Sequence, residues 1–383
     1  MKTGMSGIAT DKSKIFVATL FVVVCLLALS IRIRLVDSYH VGDLTHFFSF
    51  SETLFGRNHF DYYSRELESG AIFTYAHLPL FPYMLSPVLA VIQGLGYPDI
   101  WAVKVLVYFA DIAVALTLYK LAMRNGLKEI QAVVVAAMWL FCPWVIDSSA
   151  MQGHVVSFAV LFSLLGLLSD RRGWMAGIWW GLAVATRSEF LFPAMLIGLQ
   201  YAIHRKDLFK SFFMGGFAVF VVVVLPYVIR DFSGLSWAVF GHLQGRGDGL
   251  PIIWVFTRLT GLEMPDGLRG SFDWGLRIFV PLSIVIASFD KDSHKAFFKV
   301  GIVFTLSMMV VHSRYLLMPF AAGLAYGARP KLFMFSVLIY LCHASKMLDR
   351  EIEYLLWFGL AIILYMSKLP LWNNMGAAFR SRV

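Results

Sequence analysis

The sequence predicts an all-α polytopic membrane protein, and three observations carry that prediction. Hydrophobic residues make up 59% of the chain against 15% charged, far from the balance of a soluble globular domain. Apolar runs recur along all 383 residues, so residues 1–383 read as a single integral membrane domain. The formal net charge of +9 comes largely from Lys and Arg in short connections between those runs. That placement suits anionic lipid head groups and membrane orientation, and no nucleic-acid partner is expected. Cys25, Cys142 and Cys342 lie far apart inside apolar segments, which gives neither a disulfide framework nor a metal-ligand pattern.

A helix needs about 20 apolar residues to cross the hydrocarbon layer, and about 17 suffice. The first candidate, Lys14 to Ser30, is long and lacks a small-residue cleavage site, so it is expected to stay as an uncleaved anchor. The polar stretch 31–80 follows as a large outer loop. From Asp43 it continues as a Phe-rich amphipathic segment suited to lying at the membrane surface. The apolar stretch from Leu80 to Gly96, with Pro79, Pro82 and Pro87 in or beside it, is either re-entrant or interfacial, or else a full crossing. Further candidates run near 100–122, 130–146, 154–169, 174–186, 189–203, 211–229, 273–288, 296–312, 313–328, 331–346 and 352–367. The total expected is about 11–13 transmembrane helices.

Lysine and arginine in short loops accumulate on the cytoplasmic side. Lys2, Lys12 and Lys14 therefore put the amino terminus in the cytoplasm. The connections holding Arg124 and Lys128, Arg171 and Arg172, Arg205 and Lys206, Lys291 and Lys295, and Arg329 and Lys331 are expected on that same side. If 80–96 makes no separate crossing, then Asp43, Asp147, Gln152, Arg187, Glu189, His312, Arg314 and a long 231–272 loop all face outward.

Each of these polar positions has a bland reading beside the functional one. Asp43, in VGDLTHFFSF, is a candidate general base or a helix N-cap, and the roles are compatible. Asp147, Gln152 and His154 sit at a helix-to-loop boundary after Pro143. Arg187 and Glu189 interrupt about 30 apolar positions, either as an internal salt bridge or as ligand contacts. His312 and Arg314, with Tyr315 beside them, break the run from Gly301 to Leu324. An arginine at the bilayer centre costs about 2.5–3.5 kcal/mol, so it should face an anion, water or a partner. The 231–272 loop is rich in glycine and aromatics, suits a cover over a site, and supplies His242, Arg246, Arg258 and Arg269 as phosphate partners or lipid contacts. No phosphate loop, dinucleotide fingerprint, HExxH or nucleophile elbow occurs.

The order of these motifs resembles the GT-C superfamily of membrane glycosyltransferases, nearest to the dolichyl-phosphate-glucose-dependent glucosyltransferases of N-glycan precursor assembly. In that family an outer first loop carries a catalytic aspartate, matched here by Asp43. Its aromatic-and-proline segment is similar to Tyr75, Pro79, Leu80 and Tyr83 in TYAHLPLFPYML. Its P-x-x-x-D followed by Gln resembles Pro143, Asp147 and Gln152, and its lysine-centred break before an aromatic-proline run is approximated by RSEFLFP from Arg187. Its V-H-E-K motif resembles VHSRYLLMP, with His312 and Arg314 in the positions of His and Lys. Ser313, Ala150 and Gly153 depart from the family pattern.

The resemblance implies sugar transfer from a polyprenyl (dolichyl) phosphate donor to a lipid-linked glycan, protein or lipid acceptor. The reaction would be a metal-independent inverting displacement without cofactor, at the outer or lumenal face of a plasma or endoplasmic reticulum membrane. Asp43 would be the base, with His312, Arg314, Arg187, Arg246 and Arg269 around the donor phosphate. Asp147, Gln152, Glu189, Tyr315 and Tyr75 would support them. The competing expectation is a multi-spanning transporter or lipid flippase whose buried charges line a translocation path.

Overall fold

The computed structural model describes residues 5–38, 43–54, 59–64, 78–237, 280–307 and 317–326. The described residues are helical with no strand: α1 (Met5–Arg34), α2 (Asp43–Thr53), α3 (Leu80–Gly94), α4 (Ile100–Arg124), α5 (Glu129–Leu140), α6 (Pro143–Ile146), α7 (Val156–Leu168) and α8 (Gly173–Thr186). There follow α9 (Leu191–His204), α10 (Lys206–Val219), α11 (Leu225–Arg230), α12 (Phe232–Ser236), a helical segment at 280–288, α13 (Ser293–Ser307) and α14 (Leu317–Tyr326). Among these residues Lys14–Arg34, Ile100–Arg124 and Lys206–Arg230 are long and apolar enough to cross a membrane. The pair Glu129–Leu140 and Pro143–Met151, bent by 49°, passes the same test as one broken span. Pro143, at the first position of α6, marks that bend.

The described basic connections meet at one end of the bundle. Arg124 at the end of α4 and Arg205 after α9 both grip Asp170, at 2.6 and 2.9 Å. Tyr201 donates its hydroxyl to the Asp170 carbonyl at 2.6 Å. Gln200 donates to the Asp290 carbonyl at 2.6 Å and Asn125 to that of Ala325 at 3.0 Å. Lys295 and Lys299 complete the cluster on the Asp290 carboxylate. Burial by itself pushes that carboxyl up, but the Asp292 amide and the two ammonium groups outweigh it and hold it below the usual carboxylate range.

At the opposite end the carboxy terminus of α1 meets the start of α4. Trp101 donates its indole N–H to Asp37 at 2.9 Å, and Lys104 binds the Val36 carbonyl at 2.7 Å. Leu80–Gly94 lies toward this end of the bundle: near its start the Tyr83 hydroxyl sits 2.9 Å from that of Tyr227, and just beyond its end Tyr97 stacks on Trp101 of α4. It packs on α2, where Ser86 donates to the Ser51 carbonyl at 3.2 Å.

Glycine sets the close contact between α8 and α10. Gly173, Gly177 and Gly181 recur every four residues along one face of α8, opposite Gly215 and Gly216 of α10. A methyl at Gly177 would collide with the Phe212 carbonyl oxygen, and one at Gly215 with that of Trp174. In lipid, where apolar burial between helices gains little, backbones that approach this closely supply the attraction. The main core lies among α4, α5, α7, α8 and α14 around the buried indoles of Trp139 and Trp180. By contrast, the apolar window of the first span is only 11% buried against 56% in α4, so among the described residues α1 is packed far less closely than α4.

Candidate functional site

Three of the expected site elements lie at the end remote from the basic cluster. Asp43 is the first residue of α2, and the next residue, Leu44, is buried against Gly153. Gly153 has φ +74°, a left-handed conformation that glycine adopts at little cost. It ends a corner that begins with the π-helical turn Asp147–Met151, a widened turn of the sort found often at functional sites. Gln152 N–H donates to the Asp147 carbonyl at 2.9 Å and His154 N–H to that of Ser148 at 2.8 Å, so the corner is closed by its own backbone.

Side chains in that corner form a directed chain. Gln152 donates its amide Nε2 to Asp147 Oδ2 at 2.7 Å. Its remaining oxygen faces His154 Nε2 at 2.9 Å. Because an amide oxygen only accepts, His154 must carry its proton on Nε2. The chain therefore runs from imidazole through amide to carboxylate, with His154 5% exposed.

Arg187 and Glu189 occupy the neck between α8 and α9. Arg187 leaves the helix in an extended conformation, and Ser188–Phe190 forms a single tight turn. Arg187 Nε donates to Glu189 Oε1 at 2.6 Å, and its Nη2 pairs with the same oxygen. The guanidinium is 1% exposed and its charge is paired with a carboxylate two residues away.

The segment 59–64 is joined to the start of the 231–272 stretch. Asp231 accepts the Gly234 N–H as the cap of α12, and it also accepts the Ser64 N–H at 2.8 Å and the Ser64 hydroxyl. Beside it Phe50 stacks on Tyr62 at 4.1 Å between centroids, with Tyr227 edge-on at 5.8 Å. Tyr75, Arg246, Arg269, His312, Arg314 and Tyr315 lie outside the described residues. Among the described residues no group of three or more His, Cys, Asp or Glu side chains is placed to hold a metal ion.

Sequence reasoning missed a second polar cluster, centred on Asp111 of α4. Arg32 Nε donates to Asp111 Oδ2 at 2.9 Å, and both side chains are fully buried. Ser157 donates to Asp111 Oδ1 at 2.7 Å, Arg32 Nη1 to the Leu140 carbonyl at 3.0 Å, and Tyr108 OH to the Arg32 carbonyl at 2.9 Å. A signal was present: Lys104, Tyr108 and Asp111 recur at i, i+4 and i+7 in an otherwise apolar run, which places them on one helix face. Comparison with protein families and with curated proteins finds no match to this chain.

Proposed function

We propose that the protein is a GT-C-type glycosyltransferase that moves a sugar from a polyprenyl or dolichyl phosphate to a lipid-linked glycan, protein or lipid acceptor. The observation that carries this reading is convergence. The start of α2 at Asp43 meets the corner that holds the Asp147–Gln152–His154 chain, at the end of the bundle remote from the Arg124–Asp170–Arg205 cluster. If the basic end is cytoplasmic, this corner is outer or lumenal and the amino terminus is cytoplasmic. Two further observations support the reading. The clamp of Asp231 on Ser64 ties the first loop to the beginning of the second. Ser307 and Leu317, which flank the His312 and Arg314 motif, are the ends of α13 and α14 away from the basic cluster.

In the proposed step Asp43 takes the proton of an acceptor hydroxyl as that oxygen attacks the anomeric carbon. The bond from that carbon to the phosphate oxygen breaks, polyprenyl phosphate leaves with the electron pair, and the configuration inverts. His312 and Arg314, aided by Arg246 and Arg269, neutralise charge growing on the departing phosphate, which lowers the transition state more than the ground state. Arg187, held by Glu189, contributes a compensated cation at the rim.

The test is a reaction of purified protein in detergent with polyprenyl-phosphate hexose and a lipid-linked acceptor, read by mass spectrometry for covalent product. Asp43→Asn is expected to lower turnover about 10²–10⁴-fold with folded yield unchanged, and Arg314→Ala to raise the donor KM. Full turnover in Asp43→Asn removes that residue from the base role. A transporter is the second reading, and the observation favouring it is the buried Arg32–Asp111–Ser157 chain, which joins α1, α4 and α7. It predicts movement of a lipid-linked substrate with no covalent product.

A further inference from the structure

Lys104 lies in the second turn of α4 with its side chain completely buried. Its ammonium donates to the carbonyls of Val36 at 2.7 Å, Ser38 at 3.1 Å and Leu35 at 3.4 Å. An ammonium has three donors, and all are directed at backbone oxygens where α1 ends. Carbonyls at a helix terminus have no partner within the helix, and a cation there also meets the negative end of the helix dipole. The methylene stem serves a second contact. A Cβ added to Gly153 would sit 3.8 Å from Lys104 Cγ and 3.4 Å from Leu44 Cδ1.

Lys104 therefore joins the exit of α1 to the corner after Gln152, and the start of α2 meets the same corner through Leu44. Asp43 follows Ser38 by five residues, so a tether at Ser38 limits its reach to about 17 Å. We propose that Lys104 is the positioning residue of the candidate site, holding the exit of α1 and the first turn of α2 against the Gly153 corner so that Asp43 meets the Asp147–Gln152–His154 chain in one register. The role assigned to Asp43 rests on the glycosyl-transfer reading; the staple itself does not.

The full-length protein in detergent tests both parts. Lys104→Met keeps the stem and removes the donors, whereas Lys104→Arg keeps a cation. In Lys104→Met, amide hydrogen exchange over residues 35–44 should rise about tenfold, with the amides around Asp170 and Asp290 unchanged. With polyprenyl-phosphate hexose and acceptor, kcat should fall about 10²-fold at a donor KM close to wild type, as misplacement of one catalytic group predicts. Lys104→Arg should recover part of both. If Lys104→Met does not fold, Lys104→Gln, which retains an amide donor, should show the same changes at smaller amplitude.

Unchanged exchange over 35–44 in the folded variant overturns the staple. Raised exchange with wild-type kcat overturns the positioning role. Absence of product from wild-type protein overturns the glycosyl-transfer reading and with it the role for Asp43, while exchange alone still decides the staple.

Discussion

Asp111 and Arg32 show how a charge is kept inside a membrane protein: each cancels the other, and Ser157 and the Leu140 carbonyl take up further bonding positions. Removing one partner leaves the other buried and uncompensated, which costs about 3–5 kcal/mol, whereas replacing both by apolar residues is often neutral. Asp111→Asn should therefore lower the detergent melting temperature sharply, and Arg32→Met with Asp111→Leu should recover most of the loss. Equal damage in the double variant would show that the pair is not the source of the effect. His294, at the start of α13 and outside the spanning segments, offers a pH-dependent case. Burial lowers its pKa below the ordinary 6.5, and the Arg124 charge adds to that, against the opposing pull of Asp292 and Asp170. The folded protein thus binds the proton less readily than the unfolded chain. Its contribution to stability is complete above the unfolded value of 6.5 and is lost as pH falls through the folded value. Melting temperature should fall from about pH 7 to about pH 5, and His294→Gln should flatten that slope.

Element boundaries were legible where lipid alone sets them and were displaced where a partner intervenes. The sequence stops the first span at Ser30 because Arg32 and Arg34 are costly in lipid; α1 continues to Arg34 because Asp111 receives Arg32. The run expected at 130–146 breaks at Cys142 and bends by 49°, and the run expected at 211–229 is one 25-residue span, Lys206–Arg230. That span stays continuous through a π-helical turn, Phe220–Val224, just before Pro226, which cannot donate a backbone bond. The packing of α8 on α10 was present in the glycine spacing, but which helix it would meet was not. Gly177→Ala must push the two backbones apart at the Phe212 carbonyl, at a cost of about 1–3 kcal/mol. Gly198→Ala, where the nearest atom is a Phe212 ring carbon at 3.5 Å, should be near neutral. Thermal unfolding of the two variants side by side measures the difference, and equal values would discount the close approach.

For the molecule as a whole, the separation of a basic end from the Asp43 corner makes a prediction about sidedness. In a background free of the native Cys25, Cys142 and Cys342, single cysteines at Arg171, Lys206 and Lys291 should react with an impermeant maleimide from one side of sealed vesicles. Cysteines at Asp37 and Pro98 should react from the other. Those last two positions bracket α2 and α3, so labelling them from opposite sides would mean that Leu80–Gly94 crosses after all.

Membership of the bilayer, the apolar elements and the clustering of basic connections were written in the chain, because hydropathy and charge act on each segment regardless of its neighbours. Pairing could not be read that way. Whether Lys104 and Asp111 are tolerated inside α4, and how Gly153 comes to lie beside Leu44, depend on which helices touch. Those contacts join residues tens of positions apart, and a buried charge is stable only once its partner has been brought to it.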